Sequence, residues 1–376
     1  MSLRKLKSWE DAGLIDAATS ARIRDWEATH ARPLALRATV AIAVLAIGLG
    51  LISVVAANWE AMPGVVRLAI HFALIGACAV AAQRWCSDAL LFVLGLLGLT
   101  FFGHLGQVYQ TSSPLHVPIG LWLLLFAPLL LVRGSGWLIA LLFFIGLAAF
   151  GMTFGLSFTE NDPRLDPTLV AARISGAFAM PVLVAGLAAW ARERSQRSGL
   201  WHALACLALA YAAGLASAAT IASAVVDAPS STEDWFTAAA VTAGMLLTAA
   251  VVVRVSARDG PGRLQALVLA GLAAATLAAW VLRGHQTVAA LLFMVLWAGI
   301  AGASLRAGWR TVFQLAVALI ALRLVVLSFE LASDLLTSGT GLIVAGLLVL
   351  AVVWSALRIA KRFAPPRLGA ADGRSA

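Results

Sequence analysis

Residues 89–110 read ALLFVLGLLGLTFFGHLGQVYQ. From Ala89 to Gly106 there is no formal charge, and the run approaches the roughly 20 apolar residues that a bilayer core demands of a helix. It then ends abruptly in polar groups. His104, Gln107, Tyr109 and Gln110 are followed by Thr111, Ser112, Ser113 and Pro114. An apolar rod that closes on an imidazole, two amides and a phenol reads as a membrane helix reaching the polar interface, where amphipathic side chains collect.

The whole chain supports that reading. Of its 376 residues 61% are hydrophobic and only 12% charged, against roughly a quarter charged in soluble domains. The mean hydropathy is +0.93. The formal charge of +9 does not indicate nucleic acid as a partner, because the basic residues lie in loops between apolar runs, as membrane orientation requires. Cys78, Cys86 and Cys206 are scattered without a Cys-x-x-Cys spacing, so neither a disulfide framework nor a metal site is expected. No sequence element points to a cofactor. The first apolar run starts near Ala38 after a long charged segment, which predicts no cleavable leader.

Twelve spans are expected, at 38–57, 64–82, 89–106, 117–132, 136–158, 169–190, 200–226, 235–253, 262–282, 287–305, 311–329 and 339–357. The fourth is short and contains Pro128, so eleven spans plus a re-entrant piece is the competing count. Lys and Arg concentrate on the cytoplasmic side of membrane proteins. With the N-terminus inside, 22 of the 27 basic residues fall on the inner side, only Arg164 and Arg283 in outer loops, and Arg67, Arg173 and Arg323 within spans. The fold class is therefore an all-α polytopic transmembrane bundle with both termini cytoplasmic. Residues 1–37 form a cytoplasmic helical hairpin, 38–357 the bundle and 358–376 a basic tail. In the hairpin a first helix carries Leu3, Leu6 and Trp9 and stops at Gly13, and Asp16 caps a second that carries Ile23 and Trp26. A helix-turn-helix DNA reader is disfavoured, since about thirty residues supply too little core for an independent domain.

Ionisable groups inside a bilayer are costly and mark candidate sites. Arg67 and His71 share a face of the second span at i, i+4. Arg323 and Glu330 share a face of the eleventh. Asn58 and Trp59 close the first span, and His104, Gln107, Tyr109 and Gln110 close the third. All of these gather at the outer level, which suggests a polar cluster open to the outside. The competing account is interfacial anchoring, with arginines snorkelling and aromatics forming a belt. None of the eighteen carboxylates lies mid-span, which disfavours an ion-coupled carrier. His71 and His104 lack a matched nucleophile, and no hydrolase, zinc-protease or phosphate-loop motif occurs, so an enzyme is disfavoured.

The order Trp9 to Ile15 (Trp-x-x-Ala-Gly-Leu-Ile), then Asn58-Trp59, then Gly103 to Gln110 followed by Trp122 resembles the bacterial multi-spanning family known as domain of unknown function 2157, and a relative sharing its Gly-Gln-x-Tyr element. The resemblance covers roughly the first 140 residues. The last stretch, from Arg323 through Phe329 and Glu330 to the final span, is similar to how such proteins finish. The resemblance implies an inner-membrane protein without an assigned activity, and it fits a membrane complex with a small membrane-anchored partner protein of the kind encoded beside some relatives. The expected function is a non-enzymatic membrane component that binds a partner or envelope ligand at the outer cluster. A transporter or facilitator of a small solute or lipid is the first alternative and an intramembrane enzyme acting on an envelope substrate the second.

Orientation is open to direct measurement. With the native cysteines replaced, a cysteine at Ser113 should react with a membrane-impermeant maleimide added from outside, and one at Ser195 only after the membrane is opened. The reverse pattern would invert the topology.

Overall fold

Hydrocarbon offers backbone amides no water, so a spanning chain must satisfy them within a helix or a closed barrel. The apolar runs take the first solution in the computed structural model, which describes residues 9–10, 12–30, 62–85, 87–110, 113–160, 166–192, 194–195, 197–225, 232–257, 260–331 and 339–363. After a short amino-terminal helix α1 (Ala17–His30) come α2 (Gly64–Trp85), α3 (Asp88–Tyr109), α4 (His116–Arg133) and α5 (Trp137–Glu160). Next are α6 (Pro167–Ala179), a 3₁₀ turn (Met180–Leu183) and α7 (Val184–Arg192), which together make one span. The remainder are α8 (Ser198–Val225), α9 (Thr232–Ser256), α10 (Gly260–Val281), α11 (Gln286–Ala307), α12 (Arg310–Leu331) and α13 (Gly339–Phe363).

Every expected span from the second to the twelfth coincides with one of these helices, except the sixth, which is made by α6, the 3₁₀ turn and α7 together. The first, 38–57, lies outside the described residues. Ten spans among the described residues are long and apolar enough to cross a membrane. The protein is an all-α, polytopic membrane bundle. The doubtful fourth span is a helix of 18 residues that continues through Pro128, about 27 Å at 1.5 Å per residue. Pro181 does interrupt the sixth span, because it has no amide hydrogen to donate and falls in the 3₁₀ turn. α13 runs past residue 357 to Phe363, and Arg358 lies over the Trp354 ring at 5.0 Å.

The chain divides into two compact units, residues 1–69 with 367–376 and residues 70–366. In the first, Gly13 adopts φ +67° and its amide bonds Glu10 O at 3.0 Å, while the Leu14 amide bonds Trp9 O at 2.9 Å. That pair of bonds is a Schellman stop, which favours glycine because a Cβ opposes the left-handed backbone. Asp16 then accepts from the Thr19 amide at 3.2 Å and starts α1. Hydrogen bonds from the Thr19 side chain and amide hold its carboxyl below the ordinary range. The expected stop at Gly13 and start at Asp16 are both present.

In the second unit α8 is the hub, touching α5, α7, α10 and α11. Its buried face is largely alanine, including Ala203, Ala208, Ala212 and Ala216. In lipid, small side chains permit the close backbone approach that dispersion requires. Polar ties supplement it, with Tyr211 OH donating to Phe178 O of α6 at 2.8 Å and Trp297 Nε1 to Ser217 Oγ at 3.1 Å.

A second lock joins α3, α4 and α5. Trp122 of α4 is fully buried, and its Nε1 donates to Gly95 O of α3 at 2.7 Å. The ring fills the notch at Gly146 of α5, where a Cβ would collide with it, and Phe126 likewise fills the notch at Gly98 of α3. Pinned by its hydrogen bond, the indole has no room to yield. Gly146→Ala should therefore cost about 1–3 kcal/mol, the range for overpacking, and lower the melting temperature of the detergent-solubilised protein. Gly244→Ala, which meets nothing within 4 Å, should leave it unchanged or raise it.

Candidate functional site

The expected site residues separate into three local groups. His71 of α2 points across to α3, with Nε2 2.9 Å from Leu97 O and 3.3 Å from Thr100 Oγ1. A carbonyl oxygen only accepts, so Nε2 is the nitrogen that carries the proton. Thr100 Oγ1 has its own donations, to Leu96 O at 3.0 Å and Leu97 O at 3.1 Å. The His71 ring lies edge-on to Phe101 with centroids 5.6 Å apart, and 6.0 Å from the ring of His104. His104 is buried, at 8% exposure. Two imidazoles thus meet between α2 and α3, but the Nε2 of His71 serves as a strut between helices. Among the described residues no group of three His, Cys, Asp or Glu side chains could hold a metal ion.

The second group is the pair of Arg323 and Glu330 on α12. Nη1 of Arg323 lies 2.9 Å from Oε1 of Glu330, with side-chain exposures of 10% and 25%. Seven residues are close to two helical turns, so both side chains leave the same face and meet along it. Pairing neutralises two charges that lipid would penalise separately. Arg323 Nε and Glu330 Oε2 are buried without a hydrogen-bond partner among the described residues.

The third group ends α3. Gln107 and Gln110 are exposed, and Tyr109 is 62% exposed. Gln110 holds φ +48° and ψ +39°, with its amide bonded to Gly106 O. Among the described residues it alone combines a side chain with positive φ. A non-glycine residue there costs on the order of 1–2 kcal/mol, which the helix cap partly offsets. Arg67 belongs to the first unit, where its Nε donates to Met62 O at 2.9 Å and ties the start of α2 to the preceding turn. Asn58 and Trp59 lie outside the described residues.

Two features escaped the reading of residues one at a time. Asp88 opens α3 and accepts from the Ser135 amide at 3.1 Å and the Ser135 hydroxyl at 2.9 Å, which braces the start of α5. An aspartate flush against an apolar run, facing a Gly-Ser-Gly turn, was the available signal. Trp235, Trp280 and Arg283 line a cavity of about 170 Å³ among α8, α9 and α10. Arg283 lies over the Trp280 ring at 5.1 Å. Its sequence position had marked it only as an outer-loop cation.

Residues 7–139 match the family described as predicted membrane protein DUF2157. Over this segment, about a third of its length, the chain is similar to that family of membrane proteins. The DUF2157 segment takes in the Gly13 stop, the His71 strut, the Trp122 bond to Gly95, the Asp88 brace and the exposed end of α3, whereas the Gly146 notch and the Arg323 and Glu330 pair lie beyond it. No curated protein and no solved structure matches the chain at a significant level.

The strain at Gln110 separates stability from side-chain chemistry. Gln110→Gly should stabilise the protein by up to about 1 kcal/mol, since glycine takes positive φ freely, and thermal melting in detergent would register it. A lower melting temperature would mean that the Gln110 amide itself supports the fold.

Proposed function

We propose that this protein is a non-enzymatic component of the bacterial inner membrane, both termini cytoplasmic, whose α3 end docks a small membrane-anchored partner protein. The carrying observation is a contrast in commitment. Arg67 bonds a backbone carbonyl and Arg323 an internal carboxylate. Gln107, Tyr109 and Gln110 instead stand exposed, with no side-chain hydrogen bond to them among the described residues. Two amides and a phenol offer both donors and acceptors without net charge. That chemistry matches the backbone of a polypeptide segment better than a phosphate or carboxylate, which would call for free guanidinium groups. The basic bias of the loops at the opposite end supports placing this surface on the outer side. On this reading the residues 1–37 hairpin and the basic tail remain in the cytosol, and Arg67, His71, His104, Arg323 and Glu330 shape and stiffen the outer level.

One observation favours a second reading, a transporter or facilitator. The sixth span is broken at Pro181, and broken spans build substrate sites in many carriers. Here, however, Pro181 and Val182 are buried within the packing.

A photoreactive residue at Gln107 or Tyr109, illuminated in native membranes, should give a discrete protein adduct. The same residue at Val93, 44% exposed on the same helix, should give lipid adducts alone. Lipid adducts from all three positions would remove the docking proposal.

A further inference from the structure

Away from α3, helices α10 and α11 enclose between them a groove of about 720 Å³. Their inner faces pack on α8, so the groove opens on the outside of the bundle. Along α11 it is lined by Leu292, Val295, Gly299, Gly302 and Arg306. Those spacings of three and four keep one stripe of a helix, about 21 Å long at 1.5 Å per residue. Along α10 the wall includes Leu264 and Gly271. The glycines are not there for helix contact, because a Cβ at Gly271, Gly299 or Gly302 would meet nothing within 4 Å. They hollow the surface.

The stripe changes character only at its end. Arg306 closes it on α11, beside Leu264 of α10, and the residue before Leu264 is Arg263. Both arginines are exposed, and neither has an ion pair among the described residues. The groove is thus apolar for more than the ~15 Å depth of one leaflet and ends on Arg306, with Arg263 next in the chain to lining Leu264, at the end that faces the basic loops. A transmembrane helix would need no such charge at one end. Basic pockets between spans on the basic side of membrane proteins hold acidic lipid headgroups, and the volume lies within the ~300–1,000 Å³ usual for ligand sites.

We infer that the α10–α11 groove is a binding site for an anionic phospholipid, with an acyl chain along Gly271, Gly299 and Gly302 and the headgroup phosphate at Arg306 and Arg263. The site is independent of the docking surface on α3. Because Arg is planar and bidentate toward phosphate oxygens, two of them at one rim suit a phosphodiester.

The test uses the full-length protein, delipidated in mild detergent and titrated with phosphatidylglycerol or phosphatidylcholine, with retained lipid counted by native mass spectrometry. The wild type should retain phosphatidylglycerol at least about tenfold better, the scale expected for two arginines at a membrane surface. Arg263→Gln with Arg306→Gln should erase that preference while retaining residual binding of both lipids, and Arg263→Lys with Arg306→Lys should preserve part of it. Gly299→Leu, which fills the groove, should lower retention of both. Equal retention of the two lipids by the wild type, or a preference that survives the double glutamine variant, would overturn the assignment. So would a dimer or a bound protein lost in Gly299→Leu, because a helix would then occupy the groove. Melting temperatures of the variants without lipid control for folding, and the charge substitutions lie on an exposed rim.

Discussion

Within the membrane a donor left without an acceptor is costly, and in this structure the acceptor is repeatedly a backbone carbonyl of a neighbouring helix. Trp122 donates to Gly95 O, Tyr211 to Phe178 O, Cys78 to Leu90 O at 3.4 Å, and His71 lies against Leu97 O. A carbonyl has a second lone pair left over from the helical ladder, so such a bond costs the helix nothing and satisfies a buried side chain. Each bond also fixes the register of two helices. The Cys78 and His71 contacts lock α2 against α3 at two heights in one antiparallel alignment. Trp122 sets α4 against α3.

These directional ties matter because dispersion in lipid has little preference for one alignment over another. Alanine faces such as that of α8 permit close approach at several registers, and lipid tails compete for the same contacts. Large rings inserted into glycine notches, Trp122 at Gly146 and Phe126 at Gly98, select one of those registers by shape. Polar bonds and notches act on the same helices, α3 to α5, and this part of the bundle falls mainly within the DUF2157 segment.

The same rule separates polar groups that hold the fold from those without an internal partner among the described residues. His71, Asp88, Arg67, Arg323 and Glu330 are each engaged internally. Among the described residues the end of α3 and the rim of the α10–α11 groove are not, and they differ in kind. One presents neutral amides and a phenol, the other two guanidinium groups above an apolar trough. Among the described residues these are two chemically distinct surfaces, and the docking and lipid-binding proposals rest on that difference.

Much of this architecture was readable from residues alone. Helix positions from the second span to the twelfth, the stop at Gly13 and the cap at Asp16 depend on length, local periodicity and nearest neighbours, because hydrocarbon and the backbone impose those requirements on each segment separately. The common face of Arg323 and Glu330 was equally visible, since it follows from helical geometry. What Arg323 does with its charge was not. Neither was the side of His71 that bears the proton, the brace from Asp88 to Ser135, nor the hollow flanked by Gly271 and Gly299. A polar side chain in a bilayer takes whichever acceptor the adjoining helix brings within about 3 Å, and a glycine becomes a contact or a cavity according to what faces it. Both outcomes belong to the packing of helices far apart in the chain, and only the tertiary structure decides them.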